Sequence, residues 1–303
     1  MTPGMSIPPR PLFGISIALF GALVLTPDTL LMRLSGFSTF QMLAWRGTLM
    51  GLVMLCVWLA TRRGRLRADL AALMTGAGLA AILCQGANAT LFAAGIATAP
   101  VPLVLFGVAT VPVFSALFAR LALGEPTRPA TWVTIAAVLS GIALAVFGKD
   151  TGGVGLNPAS LRGALFGLGV AAMLALSFTI FRRHTDLPIP LAIGCGALLA
   201  GLAGTTLAGP ETLTDGRVWA IAITGAVILP ISFFTLSLAS RHTQAANVSL
   251  ILLLETILGP FWIWVGLGTV PTIPMVLGGV VVVTSLAAYL AHSRRRPVAV
   301  PAG

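Results

Sequence analysis

Ten apolar runs fill this 303-residue chain, five in each half, with little between them. Each is long enough to cross about 30 Å of hydrocarbon as a helix. The runs are Leu12–Met32, Thr39–Ala60, Leu70–Ile96, Val101–Leu123, Thr131–Phe147, Leu161–Phe181, Pro190–Ala208, Val218–Leu238, Asn247–Leu267 and Met275–Ala291. Lipid offers no hydrogen bonds to a backbone, so only helices and closed barrels span it. Barrel strands would be about half this length and would alternate polar with apolar. With 57 % hydrophobic and 9 % charged residues, the chain lies outside the composition of soluble domains. The predicted fold is an all-α integral membrane protein of ten transmembrane helices. Short connections leave no room for a soluble catalytic domain, and the first run reads as a span rather than a cleaved leader.

The two sets of five resemble each other. Leu12-Phe13-Gly14 matches Leu161-Arg162-Gly163, Arg33 matches Arg182, and Thr75-Gly76-Ala77 matches Thr224-Gly225-Ala226, all at an offset of 149. Further on the offset falls to 145, where Pro126-Thr127 matches Pro271-Thr272 and Ser140 matches Ser285. A deletion of about one helical turn in the second copy reconciles the two values. Five is odd, so the second copy must enter the membrane from the opposite side, and similar halves become inverted repeats. This reading divides the chain into a first repeat over 11–148, a Gly- and Pro-containing linker over 149–160, a second repeat over 161–292 and a basic tail over 293–303. Inverted repeats are a common way of building a transport pathway with two gates.

The net charge of +10 is unevenly placed. With both termini cytoplasmic, the inner side holds thirteen basic residues: Arg10, Arg62, Arg63, Arg65, Arg67, Arg120, Arg128, Arg182, Arg183, Arg241 and Arg294 to Arg296. The outer side holds four, Arg33, Lys149, Arg162 and Arg217, and Arg46 lies within a span. By the positive-inside rule this puts both ends of the chain on the cytoplasmic face of the cell or inner membrane. Topology and contact with anionic lipid account for the basic charge, and nucleic acid is not an expected partner.

The pattern resembles the drug/metabolite transporter superfamily in its ten-helix form with two EamA-type repeats. Arg46 lies in the second helix, where that family often carries an arginine, and Leu123-Gly124-Glu125-Pro126-Thr127 closes the fourth helix as its Leu-Gly-Glu segment does. The second copy departs from this, with Gly268-Thr269-Val270-Pro271-Thr272 and no glutamate, and Leu254-Glu255-Thr256 lacks the proline of the common Leu-Glu-Pro. Length and layout also look like the YddG-type amino-acid exporters of that superfamily. The resemblance implies an exporter of small metabolites, with amino acids first.

Three charged residues lie clearly within spans: Asp28, Arg46 and Glu255. Charge facing lipid costs several kcal/mol, in amounts of about 3 by insertion scales, so each needs a partner, water or a function. By helical rise, Arg46 lies about 10 Å and Asp28 about 6 Å below the outer ends of their helices. Arg46 therefore either faces the pathway and meets a substrate carboxylate, snorkels outward, or is locked to Asp28. Glu255, near the middle of the ninth run, either binds a proton or cationic group or makes a structural hydrogen bond. Gln85 and Asn88 share a helix face and serve as substrate ligands or as interhelical glue. Trp45 and Trp264 are candidates to line a cavity or to act as packing anchors. Pro112 and Pro260 fall in equivalent helices and are candidate hinges, or static kinks.

Little points to an enzyme. His184, His242 and His292 have no metal-ligand spacing, Cys56, Cys84 and Cys195 fall in apolar runs as packing residues, and no nucleophile elbow or phosphate loop occurs. Neither metal nor cofactor is expected, and transport would follow a gradient of the solute or of a coupled ion such as a proton. The expected partners are a small-molecule substrate and lipid. Two other readings stand beside the amino-acid exporter: an exporter of lipophilic cations, in which Asp28 and Glu255 outweigh Arg46, and a non-transporting membrane scaffold.

Overall fold

The computed structural model describes residues 11–61, 63–99, 101–124, 129–147 and 158–268, with eight further positions between 273 and 288. The Glu125–Arg128 segment, positions 148–157 of the linker region, the basic tail and most of the Met275–Ala291 run lie outside the described residues. Helices occupy nearly everything else: α1 Pro11–Leu25, α2 Asp28–Ser35, α3 Thr39–Thr61, α4 Leu66–Leu73, α5 Gly76–Thr98, α6 Val101–Val108, α7 Val111–Leu123, α8 Pro129–Phe147, α9 Pro158–Arg183, α10 Ile189–Ala208, α11 Val218–Ile223, α12 Leu229–His242, α13 Ala245–Leu252 and α14 Leu254–Leu267. No strand occurs among the described residues. Pro158, expected in the linker, already opens α9.

Among the described residues, seven stretches are long and apolar enough to cross a membrane: Leu12–Ser35, Thr39–Thr61, Gly76–Thr98, Leu165–Arg183, Ile189–Ala208, Val218–His242 and Ala245–Leu267. The molecule is a multi-pass membrane protein. Its outside is apolar, with Leu83, Leu121, Val133 and Leu202 exposed, while Asp28, Gln85, Asn88 and Glu255 are buried. Such a polarity suits lipid as the outer solvent.

Several spans are interrupted, and most of the interruptions have a local cause. Pro27 has no N–H to donate, and α1 gives way to α2 there. Thr75 accepts a hydrogen bond from the Gly78 N–H at 3.2 Å and caps α5 where α4 ends. Pro230, the second residue of α12, lacks an N–H and would crowd the carbonyl of Ala226, and the preceding turn, Thr224–Ile228, is a widened π-turn. The fourth run breaks at Ala109-Thr110, just before Pro112, and the ninth at Leu253. Asp28 and Glu255 both fall in the first turn of the helix that restarts after a break. A carboxylate there complements the positive end of the helix dipole.

The helices pair mainly across the two halves: α3 runs along α10, α5 along α9, α1 along α12, α6 and α7 against α9, and α7 against α13. The α3–α10 contact is the closest-knit. A Cβ added to Gly47 would stand 2.5 Å from the Gly201 nitrogen and 2.6 Å from the Ala197 oxygen, so glycine is what allows these backbones to meet.

Each end of the bundle is tied by polar contacts. At one end Arg182, finishing α9, donates from Nη1 to the carbonyls of Ser240 at 3.2 Å and Thr243 at 2.6 Å. Arg241, finishing α12, donates to the carbonyls of Phe181 and Leu187. Each arginine thus serves carbonyls at and just beyond the end of the other's helix, which have no helical partner. At the other end the Arg217 N–H donates to the Ser35 carbonyl at 2.8 Å.

Candidate functional site

A cavity lies at the centre of the bundle, and helical spacing explains its lining. On α3 it takes Leu43, Arg46, Gly47 and Met50, and on α5 Gln85, Asn88, Ala89 and Phe92. Steps of three and four keep each set on one helix face. From the other half come Val170, Leu174 and Phe178 on α9, Ala197 on α10, Leu229, Phe233 and Leu236 on α12, Leu252 on α13 and Glu255 on α14. Leu25 and Asp28, either side of the first break, complete the wall with Ala93 and Val108. The space open to the centres of water-sized spheres is about 50 Å³, room for about three or four waters.

Five of the lining residues are strongly polar. Arg46 turns inward, and its Nη2 donates to Asp28 Oδ2 at 2.7 Å. Its Nη1 contacts the Met32 sulfur. The guanidinium carbon stands 5.6 Å from the centre of the Phe92 ring, within cation–π range. Asp28 is 1 % exposed, and its second oxygen, Oδ1, has no hydrogen-bond partner among the described residues. Glu255 lies within electrostatic reach of both Asp28 and Arg46. Gln85 Nε2 approaches the Met50 sulfur at 3.9 Å, and Asn88 lies one turn further along the same face.

The structure therefore brings Asp28, Arg46, Gln85, Asn88 and Glu255 together. Trp45 and Trp264 are not among the lining residues. Trp45 is one residue, about 100°, around the helix from Arg46, and its indole N–H donates to the Leu213 carbonyl at 2.8 Å. Trp264 is nine residues beyond Glu255, half a revolution away, and is exposed. Pro112 is buried in the first turn of α7, directly after the Ala109-Thr110 break. Pro260 lies inside α14, seven positions past the break at Leu253.

Reading the sequence for charge missed Met32, Phe92, Phe178 and Phe233. Extending the Gln85–Asn88 face by four residues reaches Phe92. The others carry no polar signal in an apolar run. Among the described residues no group of three His, Cys, Asp or Glu side chains could hold a metal ion. The three cysteines are free thiols.

Residues 12–147 match the EamA-like transporter family. The match spans α1 to α8, just under half of the chain, and the family is one of transporters. Twenty-six chains of solved structures match significantly. One, a crystal structure, superposes with a TM-score of 0.76 at 19 % identity, over 94 % of this chain and 99 % of that one. At that identity it shows a shared fold alone. No curated protein matches the sequence significantly.

Proposed function

We propose that the chain is a secondary transporter that exports small amphipathic metabolites, amino acids first, by alternating access through the central cavity. The observation that carries this reading is the cavity itself. An Arg46–Asp28 pair, Glu255 and two amides are buried at the meeting point of helices from both halves, where transporter sites tend to lie. Charge is retained in a membrane interior only where it has a use. Arg46 would receive a carboxylate, Gln85 and Asn88 would bind other polar groups, and Phe92, Phe178 and Phe233 would face the apolar side chain. Export, and amino acids as cargo, rest on the resemblance to YddG-type exporters.

The same reading takes the fold as ten spans in two inverted repeats with cytoplasmic termini in the inner membrane. Helix pairing supports it. Exchanging the halves turns the α1–α12 contact into the α9–α5 contact and returns α3–α10 and α7–α13 to themselves. The interruptions agree, since the third and eighth runs break near Thr75 and Thr224, which are matched positions. Both α7 and α14 end on a glycine of positive φ, Gly124 at +65° and Gly268 at +72°. The charged residues break the symmetry: at the repeat offsets Asp28, Arg46 and Glu255 face Ser177, Cys195 and Thr110. That asymmetry favours a chemical use for the charges over an architectural one.

A cavity of about 50 Å³ must widen to admit an amino acid, so binding and opening are coupled in this mechanism. The test is counterflow of labelled amino acids in proteoliposomes. Accumulation dependent on Arg46 is expected. If no labelled amino acid moves in either direction, the assignment of amino acids as cargo fails.

A further inference from the structure

Acidic side chains outnumber basic ones along the cavity. Asp28 and Glu255 supply two carboxylates and Arg46 one guanidinium, and no other Lys, Arg or His side chain lines it among the described residues. The guanidinium is already engaged, with Nη2 on Asp28, Nη1 on the Met32 sulfur and its face over Phe92. The carboxylates are only partly so, with Asp28 Oδ2 taken up by Arg46. Asp28 Oδ1 is fully buried and has no partner among the described residues. Glu255 is 5 % exposed and lines the same space. A buried acceptor without a donor is costly, and more so when charged. The unmet demand here is for a cationic donor rather than for an acceptor.

The remaining walls define what that donor is attached to. Phe178 and Phe233 line the cavity from α9 and α12, and most of the other lining atoms are aliphatic. Aromatic faces attract a cation and also bury apolar groups. A hydrated metal ion or a bare carboxylate suits such walls poorly, whereas an alkyl or aryl ammonium suits them at both ends.

We infer that the cavity is a site for an organic ammonium group, held between Asp28 Oδ1 and Glu255 with the apolar remainder of the molecule against Phe178 and Phe233. This rests on the transport reading above and deepens it: the amine contributes more to binding than the carboxylate that Arg46 would receive. An amine that has lost its carboxylate keeps the essential contacts, and an acid that has lost its amine does not.

The test uses three matched ligands on the purified full-length protein in detergent, with affinities measured by calorimetry: phenylalanine, phenethylamine and 3-phenylpropionate. Phenylalanine and phenethylamine are expected to bind with affinities within about tenfold of each other, and 3-phenylpropionate at least a hundredfold more weakly. Glu255→Gln should weaken both amines at least tenfold, Glu255→Asp should recover part of the loss, and neither should shift the melting temperature of the ligand-free protein by more than a few degrees. Equal binding of 3-phenylpropionate and phenylalanine overturns the inference, as does unchanged amine affinity in a folded Glu255→Gln protein. Glu255-dependent binding of phenethylamine without amino-acid transport upholds this site and sinks the amino-acid reading. Amino-acid transport without phenethylamine binding does the reverse.

Discussion

Asp28 and Arg46 meet through one 2.7 Å hydrogen bond, although a guanidinium and a carboxylate can make two. The pairing is monodentate because Arg46 also turns toward the Met32 sulfur and lies over Phe92. One carboxylate oxygen is left without a partner among the described residues, beside a cavity that Glu255 also lines.

The pair is interdependent. Removing one member of a buried pair leaves the other uncompensated, which costs about 3–5 kcal/mol, whereas removing both costs much less. Asp28→Ala and Arg46→Ala should each lower the melting temperature in detergent strongly. The double variant should melt higher than the sum of the two losses implies. Additive losses would show that the two charges do not support each other.

The α3–α10 contact depends on the absence of a side chain. At Gly47 a Cβ meets backbone of the facing helix, so the helices must part, and overpacking of this kind costs about 1–3 kcal/mol. Gly36 makes the opposite case. Its φ is +70° but nothing lies within 4 Å of an added Cβ, so alanine there pays only backbone strain of about 1 kcal/mol. Thermal unfolding of Gly47→Ala and Gly36→Ala should rank in that order. The reverse ranking would mean that the helices are not in close contact.

How much of this was legible in the sequence depends on the kind of signal. Asp28 and Arg46 could be paired by depth because charge is rare in apolar runs and helical rise is fixed. Gln85 and Asn88 could be placed on one face for the same geometric reason. The break at Pro27 is written in the chain by proline, but the break at Leu253 is not, since neither glycine nor proline is there and tertiary packing decides it. Trp45 and Trp264 were drawn toward the site by their nearness in sequence to charged or central residues, yet helical rotation carries each away from it. Phe178 and Phe233 were invisible because a phenylalanine lining a cavity and one facing lipid look alike in a run of apolar residues.

The two candidate hinges should behave differently. Pro112 directly follows the break between α6 and α7, whereas Pro260 lies within the continuous α14. If closure bends the chain at the breaks, Pro112→Ala should slow exchange several-fold in proteoliposomes with substrate affinity retained, and Pro260→Ala should change it less. Equal slowing by both would move the ninth-helix hinge from Leu253 to the proline.

The most direct measurement is accessibility of the cavity from both sides of the membrane. Ala89 lines it on α5 between the polar face and Phe92. In a chain whose Cys56, Cys84 and Cys195 are replaced by alanine, Ala89→Cys is exposed in oriented proteoliposomes to a membrane-impermeant thiol reagent applied at one face and then, separately, at the other. Alternating access requires labelling from either face, slowed by saturating substrate. Labelling from one face only, or from neither, would contradict a pathway that runs through this cavity.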